Sequence, residues 1–271
     1  MLLWGLRMVR IGITDAWGSE VRSALGASLS NRFKAFFTGL GVTVLLQSSS
    51  ATALLTASFS GQGIINTGPA LAVLLGADVG TTLVAQVLTF DLSVLSPMLI
   101  AIGVAMYTYS DSGRARDTGR LVLGIGMMLL ALKLILAAST PMRESAIVQS
   151  IFSSLGNDLI LAVIVAALIA WMAHSSLATV LLIITLASTG ALDPSVAFAF
   201  VLGANIGGAI PPFIATLGGS SSARQPPLGN LIFRVCGVVI ALPMVDFLSG
   251  WMAQFDMNEA RQIANFHMLF N

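Results

Sequence analysis

The chain has 271 residues, 56% of them hydrophobic and only 9% charged, with a mean hydropathy of +0.91; an ordinary soluble domain carries roughly 25% charged residues. This is the composition of an integral membrane protein, and a formal net charge of +1 gives no basis for nucleic-acid binding. The single cysteine, Cys236, excludes an intrachain disulfide, and no set of His, Cys and carboxylate residues has metal-ligand spacing, so no resident cofactor is expected.

The N-terminal stretch MLLWGLRMVRIGITDAWGSE is interrupted by Arg7 and Arg10 and lacks a small-residue cleavage site, so it does not read as a signal peptide. It is short for a complete span and reads as a tilted or interfacial helix, or as a helix that begins outside this chain. Uncharged runs then cover 36–77, 92–110, 159–192, 194–223 and 235–245. A helix crosses about 30 Å of hydrocarbon in about 20 residues, so the longest runs must contain turns, breaks or paired helices. The charges cluster between the runs, at Arg32 and Lys34, at Asp111 to Arg120 and at Arg143 and Glu144, and read as loop charges. Trp4, Trp17, Trp171 and Trp251 suit interfacial anchoring. The ending MNEARQIANFHMLFN reads as a helix that stops in an apolar pattern, as though more chain follows.

A shift of 127 residues lays QSSSATALLTASFSGQGIINTGPALAVLLGADVG (47–80) on HSSLATVLLIITLASTGALDPSVAFAFVLGANIG (174–207) without a gap, with 13 of 34 positions identical. Internal repeats of this kind are a common way to build secondary transporters. In each copy a helix approaches, a polar SS-x-AT segment interrupts it, an apolar helix leaves, and a second helix ends in G-A-(D/N)-(V/I)-G. The fold class expected is therefore an all-α integral membrane protein of two repeats, about 31–109 and 158–245, with broken or re-entrant helices.

Non-helical backbone at membrane depth is tolerable only where protein, water or a bound ion satisfies its amides and carbonyls. Hydroxyls beside released amides can surround an anion, carbonyls and hydroxyls can hold sodium, and a half-helix N-terminus favours negative charge. The serines therefore read as a solute and ion site made twice. Gly76, Gly80, Gly203 and Gly207 read as close helix contacts that can also serve the site. Asp78 is the only acid between Phe36 and Phe90. It reads as a cation-binding or proton-coupling residue, with an interface position or a structural ion pair as other readings. Its repeat partner is Asn205. His174, partner of Gln47, could titrate, hydrogen-bond or connect two helices. Pro211 and Pro212 should end or kink the second glycine helix.

These residues carry a resemblance to the bacterial sodium-dependent phosphate cotransporters, related to the type II sodium/phosphate cotransporters. It rests on QSSSAT at 47–52, GADVGTT at 76–82, the second copies HSSLAT at 174–179 and GANIGGA at 203–209, and ARQIANFHMLFN at 260–271, and it covers nearly the whole chain. The resemblance implies two inverted repeats in the bacterial inner membrane, each giving a QSSS segment to a central site where phosphate and sodium meet. By position, Gln47, Ser48, Ser49, Ser50 and Thr52 form the first half of that site and Ser175, Ser176 and Thr179 the second. Asp78, Asn205 and His174 are candidates for coupling to a cation. This chain departs from the family pattern at His174 (glutamine), Leu177 (serine), Asp78 (asparagine), and Gly208 and Ala209 (threonines).

The function expected is sodium-coupled import of inorganic phosphate by alternating access, without covalent chemistry. Transport of another small anion and a non-transporting scaffold or sensor are the other readings. An enzyme is disfavoured, because His174 and Ser175 would point about 100° apart on a helix and no G-x-S-x-G elbow is present.

Overall fold

The computed structural model describes residues 1–27, 31–90, 92, 94–139, 141, 145, 150, 154–156, 158–255 and 258–271, and among the described residues no strand occurs. The helices are α1 (Leu2–Ala27), α2 (Arg32–Leu46), α3 (Ser49–Gly61), α4 (Thr67–Val87), α5 (Leu95–Tyr109), α6 (Gly113–Ser139), α7 (Leu159–Ala173), α8 (Ser176–Ser188), α9 (Pro194–Ala215), α10 (Ser221–Ala241), a 3-10 turn (Leu242–Met244), α11 (Val245–Met252) and α12 (Glu259–Phe270). Among the described residues, four stretches are long and apolar enough to cross a membrane: α4, α6, α9 and Ser221–Met252. By contrast α2, α3, α7 and α8 have 13 to 15 residues, or roughly 20–23 Å at about 1.5 Å each, short of a full crossing. They occur as pairs joined at a break, which is how the long uncharged runs are accommodated.

The helix pattern recurs at the shift seen in the sequence. Adding 127 carries α2 onto α7 and α3 onto α8 residue for residue, and carries α4 onto α9 to within one residue at its end. The turns that follow α3 and α8 each contain a left-handed glycine, Gly63 at φ 73° and Gly190 at φ 69°, again 127 apart. Only glycine enters that region without steric cost.

Packing repeats too. α2 lies against α4 and α7 against α9. A methyl group on Gly76 or Gly80 would overlap the carbonyls of Phe36 or Leu40, and one on Gly203 or Gly207 those of Val163 or Ala167. The glycine segments are therefore places where two backbones touch. On α7, Ala162, Val163, Ala166 and Ala170 are buried, whereas Ile160, Ile164 and Leu168 stand exposed on the other side, a face suited to lipid.

Two expectations are corrected. Arg32 and Lys34, and Arg114 to Arg120, lie in the first turns of α2 and α6 rather than in loops. There Arg114 pairs with Glu20 and Arg120 with Asp15, each at 2.8 Å, fixing the end of α6 to α1. Of the two outcomes expected at Pro211 and Pro212, an end or a kink, the end does not occur, since α9 continues to Ala215; the carbonyls they strand are those of Gly207 and Gly208, already in the last turns. Arg143 and Glu144 lie outside the described residues.

The glycine contacts give a stability test. Gly207→Ala should destabilise the protein by about 1–3 kcal/mol through overpacking, read as a lower melting temperature in detergent. Gly218→Ala, with nothing within 4 Å of an added Cβ, should leave it unchanged, and equal melting of the two variants would refute the contact.

Candidate solute and ion site

The two breaks are built alike. Gln47 ends α2 in the left-handed conformation at φ 50°, ψ 34°, and His174 ends α7 at φ 52°, ψ 29°. Among the described residues no other non-glycine has a positive φ. A left-handed L-residue costs roughly 1–2 kcal/mol, and the cost is borne twice at matched positions. It turns the chain so that Ser48 and Ser175 become N-caps of α3 and α8. Their hydroxyls accept from the amides of Ala51 (3.2 Å) and Ala178 (3.1 Å).

Both new N-termini open onto one small cavity, lined by Gln47, Ser48, Ser49, Ser50 and Thr81 from the first copy and His174, Ser175, Ser176 and Leu177 from the second. Residues 127 apart in the chain thus face one another. First-turn amides have no intrahelical partner, and two positive helix ends meet here, so the cavity favours an anion. Gln47 adds a different feature: its Oε1 is buried with no hydrogen-bond partner, an acceptor that suits water or a cation. His174 is exposed, its Nδ1 3.3 Å from the Met172 carbonyl.

Thr52 and Thr179 lie behind the breaks rather than in the cavity wall. Their hydroxyls donate back to the carbonyls of Ser48 (3.3 Å) and Ser175 (3.1 Å), and Thr52 also bonds Thr43 at 2.8 Å. Leu177 removes one hydroxyl from the second half, and Gly208, where the first copy has Thr81, packs directly on Ser176. Pro212 denies Gly208 its helical partner, and the Ser50 hydroxyl donates to that stranded carbonyl at 3.4 Å. The same device recurs beside α3, where Pro226 frees the Ser222 carbonyl and Ser60 donates to it at 2.8 Å.

Asp78 lies in a buried ion pair, the structural pair among its readings. Arg234 on α10 directs Nε to Asp78 Oδ2 at 3.2 Å and Nη2 to Oδ1, while Nη1 donates to the backbone carbonyl of Asn205 at 2.8 Å and to its Oδ1. Both charged side chains are about 95% buried, at 5% and 6% exposure. Asp78 and Asn205 are repeat partners, so one guanidinium joins equivalent points of α4 and α9.

Arg234 is not among the sequence candidates, yet the chain carries a signal for it. A second duplication, at a shift of 37, sets ARQPPLGNLIFR (223–234) against ARQIANFHMLFN (260–271). The spatial roles match: α10 packs on α3, α4 and α9, and α12 packs on α8, α9 and α4. Phe266 stacks on Phe198 with ring centroids 4.1 Å apart. Asn230 on α10 corresponds to His267 on α12, which is 1% exposed with both ring nitrogens unpartnered.

Paired broken helices whose N-termini converge on one polar cavity are the architecture of a secondary transporter. The chain belongs to the Na+/Pi-cotransporter family, whose profile matches residues 1–137 and 142–269. It is 41% identical over 271 residues to a protein of Escherichia coli K12 named "Putative inorganic phosphate export protein YjbB", covering 100% of this chain and 50% of the relative. A protein of the same name from Salmonella typhimurium LT2 matches with the same identity and coverage. "Uncharacterized protein YqeW" of Bacillus subtilis 168 is 24% identical over 273 residues, covering 99% of this chain and 87% of the relative. The chain spans half the length of the enterobacterial relatives. No solved structure matches it significantly.

The buried pair can be tested by charge removal. Asp78→Asn strands a buried guanidinium and should cost about 3–5 kcal/mol. Adding Arg234→Met should restore much of it, since no uncompensated charge is then left. Thermal unfolding of both single variants and the double measures the coupling, and strictly additive losses would rule the pairing out.

Proposed function

We propose that this chain forms the transport unit of a sodium-coupled inorganic phosphate transporter of the bacterial cytoplasmic membrane, working by alternating access between two inverted repeats at about 31–109 and 158–245. The observation that carries this reading is the convergence of two helix N-termini, each released by a left-handed residue, on one cavity. Ser48, Ser49, Ser50, Ser175 and Ser176 supply hydroxyls and first-turn amides to the anion. Gln47 Oε1, an acceptor without a partner, supplies a ligand for sodium, whose charge offsets that of phosphate. The family to which the chain belongs supports both solutes.

Direction is a separate matter. Import down a sodium gradient follows from the resemblance, whereas the E. coli relative is named for export. A symporter moves solute either way, as the summed gradients dictate. Transport of another small anion is the competing reading, and a scaffold would bind phosphate without moving it.

In proteoliposomes, phosphate should move with an imposed sodium gradient, inward or outward, and stop when potassium replaces sodium at fixed pH and voltage. Ser49→Ala and Ser176→Ala should each raise the apparent KM for phosphate about 10- to 100-fold, because a hydrogen bond to a charged group is worth about 1.5–3 kcal/mol. Flux indifferent to sodium would remove the coupling, and undiminished affinity in both serine variants would remove the cavity as the phosphate site.

A further inference from the structure

Asn230 and Arg234 lie one helical turn apart on α10. With Ser49, Ser50, Asp78 and Gly208 they line a second small cavity, and Ser49 and Ser50 also line the cavity between the two breaks. An anion held at the start of α3 therefore has α10 beside it.

The hydrogen-bond arithmetic of these two side chains is unequal. A guanidinium has five N–H groups. Four are directed to the two oxygens of Asp78 and to the backbone and side-chain oxygens of Asn205, which leaves one on Nη2. Asn230 is 7% exposed. It shares the cavity wall with Asp78 and Arg234. Its Oδ1 is buried without a partner. One cation with a spare donor and one spare acceptor thus line the same cavity.

That combination fits an oxyanion bearing both an unprotonated oxygen and a hydroxyl. We propose that Arg234 and Asn230 select hydrogen phosphate, or the isosteric arsenate, against sulfate: Arg234 donates to an anionic oxygen while Asn230 Oδ1 accepts the P–OH proton. Sulfate carries no hydroxyl at neutral pH. It would set an oxygen against the Asn230 carbonyl and leave that acceptor unsatisfied, the situation in which buried polar groups reject an analogue most strongly. The duplicate position is lined differently: the residues that correspond to Ser50, Ala53 and Leu74 are Leu177, Val180 and Val201, all buried.

This inference rests on phosphate being the substrate, and the experiment separates the two. Purified protein in liposomes is assayed for uptake of labelled phosphate in competition with phosphate, arsenate and sulfate. In the wild type, arsenate should compete about as well as phosphate and sulfate at least about 100-fold more weakly. In Asn230→Ala, phosphate and arsenate should weaken about 10- to 100-fold with sulfate unmoved, so that the selectivity collapses. A merely structural role would lower transport without changing the ratio. Wild-type protein that takes sulfate as well as phosphate overturns the assignment even if the variant fails to fold, as does Asn230→Ala with wild-type selectivity. Wild-type protein that moves no phosphate instead overturns the functional reading beneath it.

Discussion

Backbone amides released inside an apolar run must find a partner, since hydrocarbon supplies none. Much of this structure follows from that constraint. Gln47 and His174 turn the chain out of α2 and α7, and the amides that lose their helical partners are met first by Ser48 and Ser175 as caps. The rest open toward the cavity where the two copies converge. Neither break is tolerable alone, because each exposes one positive helix end; together they make a place where a small anion is more welcome than lipid or bare protein. The left-handed strain and the burial of serine are costs that an anion bound there would offset.

The same constraint extends to the carbonyl side. Pro212 and Pro226 each remove a helical hydrogen bond, and serines of α3 answer both stranded oxygens. α3 is thereby tied to α9 of the other copy and to α10. Arg234 adds a stronger tie, since it holds Asp78 of α4 and Asn205 of α9 at once. A change of access that separates α4 from α9 must stretch this buried bond, and a buried charge left without its partner is costly. Under the proposed alternating access, Arg234 therefore constrains which helices can move apart.

Much of this was legible in the sequence, and the limits are instructive. The break at QSSS, the 127-residue shift and the glycine contacts all stand in local pattern, because a serine cluster or a glycine spacing means the same thing wherever the helix sits. The partner of Asp78 is different. It lies 156 residues away, beside an uncharged run, and nothing local distinguishes Arg234 from a charge at a helix end. The duplicated ARQ segments did mark α10 and α12 as equivalent, but with few identities beyond that tripeptide, and only the packing on α3, α4, α8 and α9 gives them meaning. The charges at 114–120 misled for the opposite reason. Clustering looks like a loop, yet a membrane helix can carry such charges in its first turns, where they remain near water and pair with α1.

The two halves share a backbone and differ in side chains, and that difference has a direction. The first half keeps Gln47, three serines, Thr81 and the polar wall of α10. The second has His174 and Leu177, a glycine in place of the threonine, and aliphatic packing before His267. Duplication explains the shared breaks, since either copy needs them to end its helix. It does not require both to bind equally, and a single central solute needs only one half to read its chemistry. The other half must still present a helix N-terminus and close the cavity. Leu177 is compatible with both requirements, since at N2 of α8 its amide still belongs to the first turn, while its buried side chain fills the space that a hydroxyl and water would otherwise occupy. On this view the second half is the wall against which the first half measures the anion.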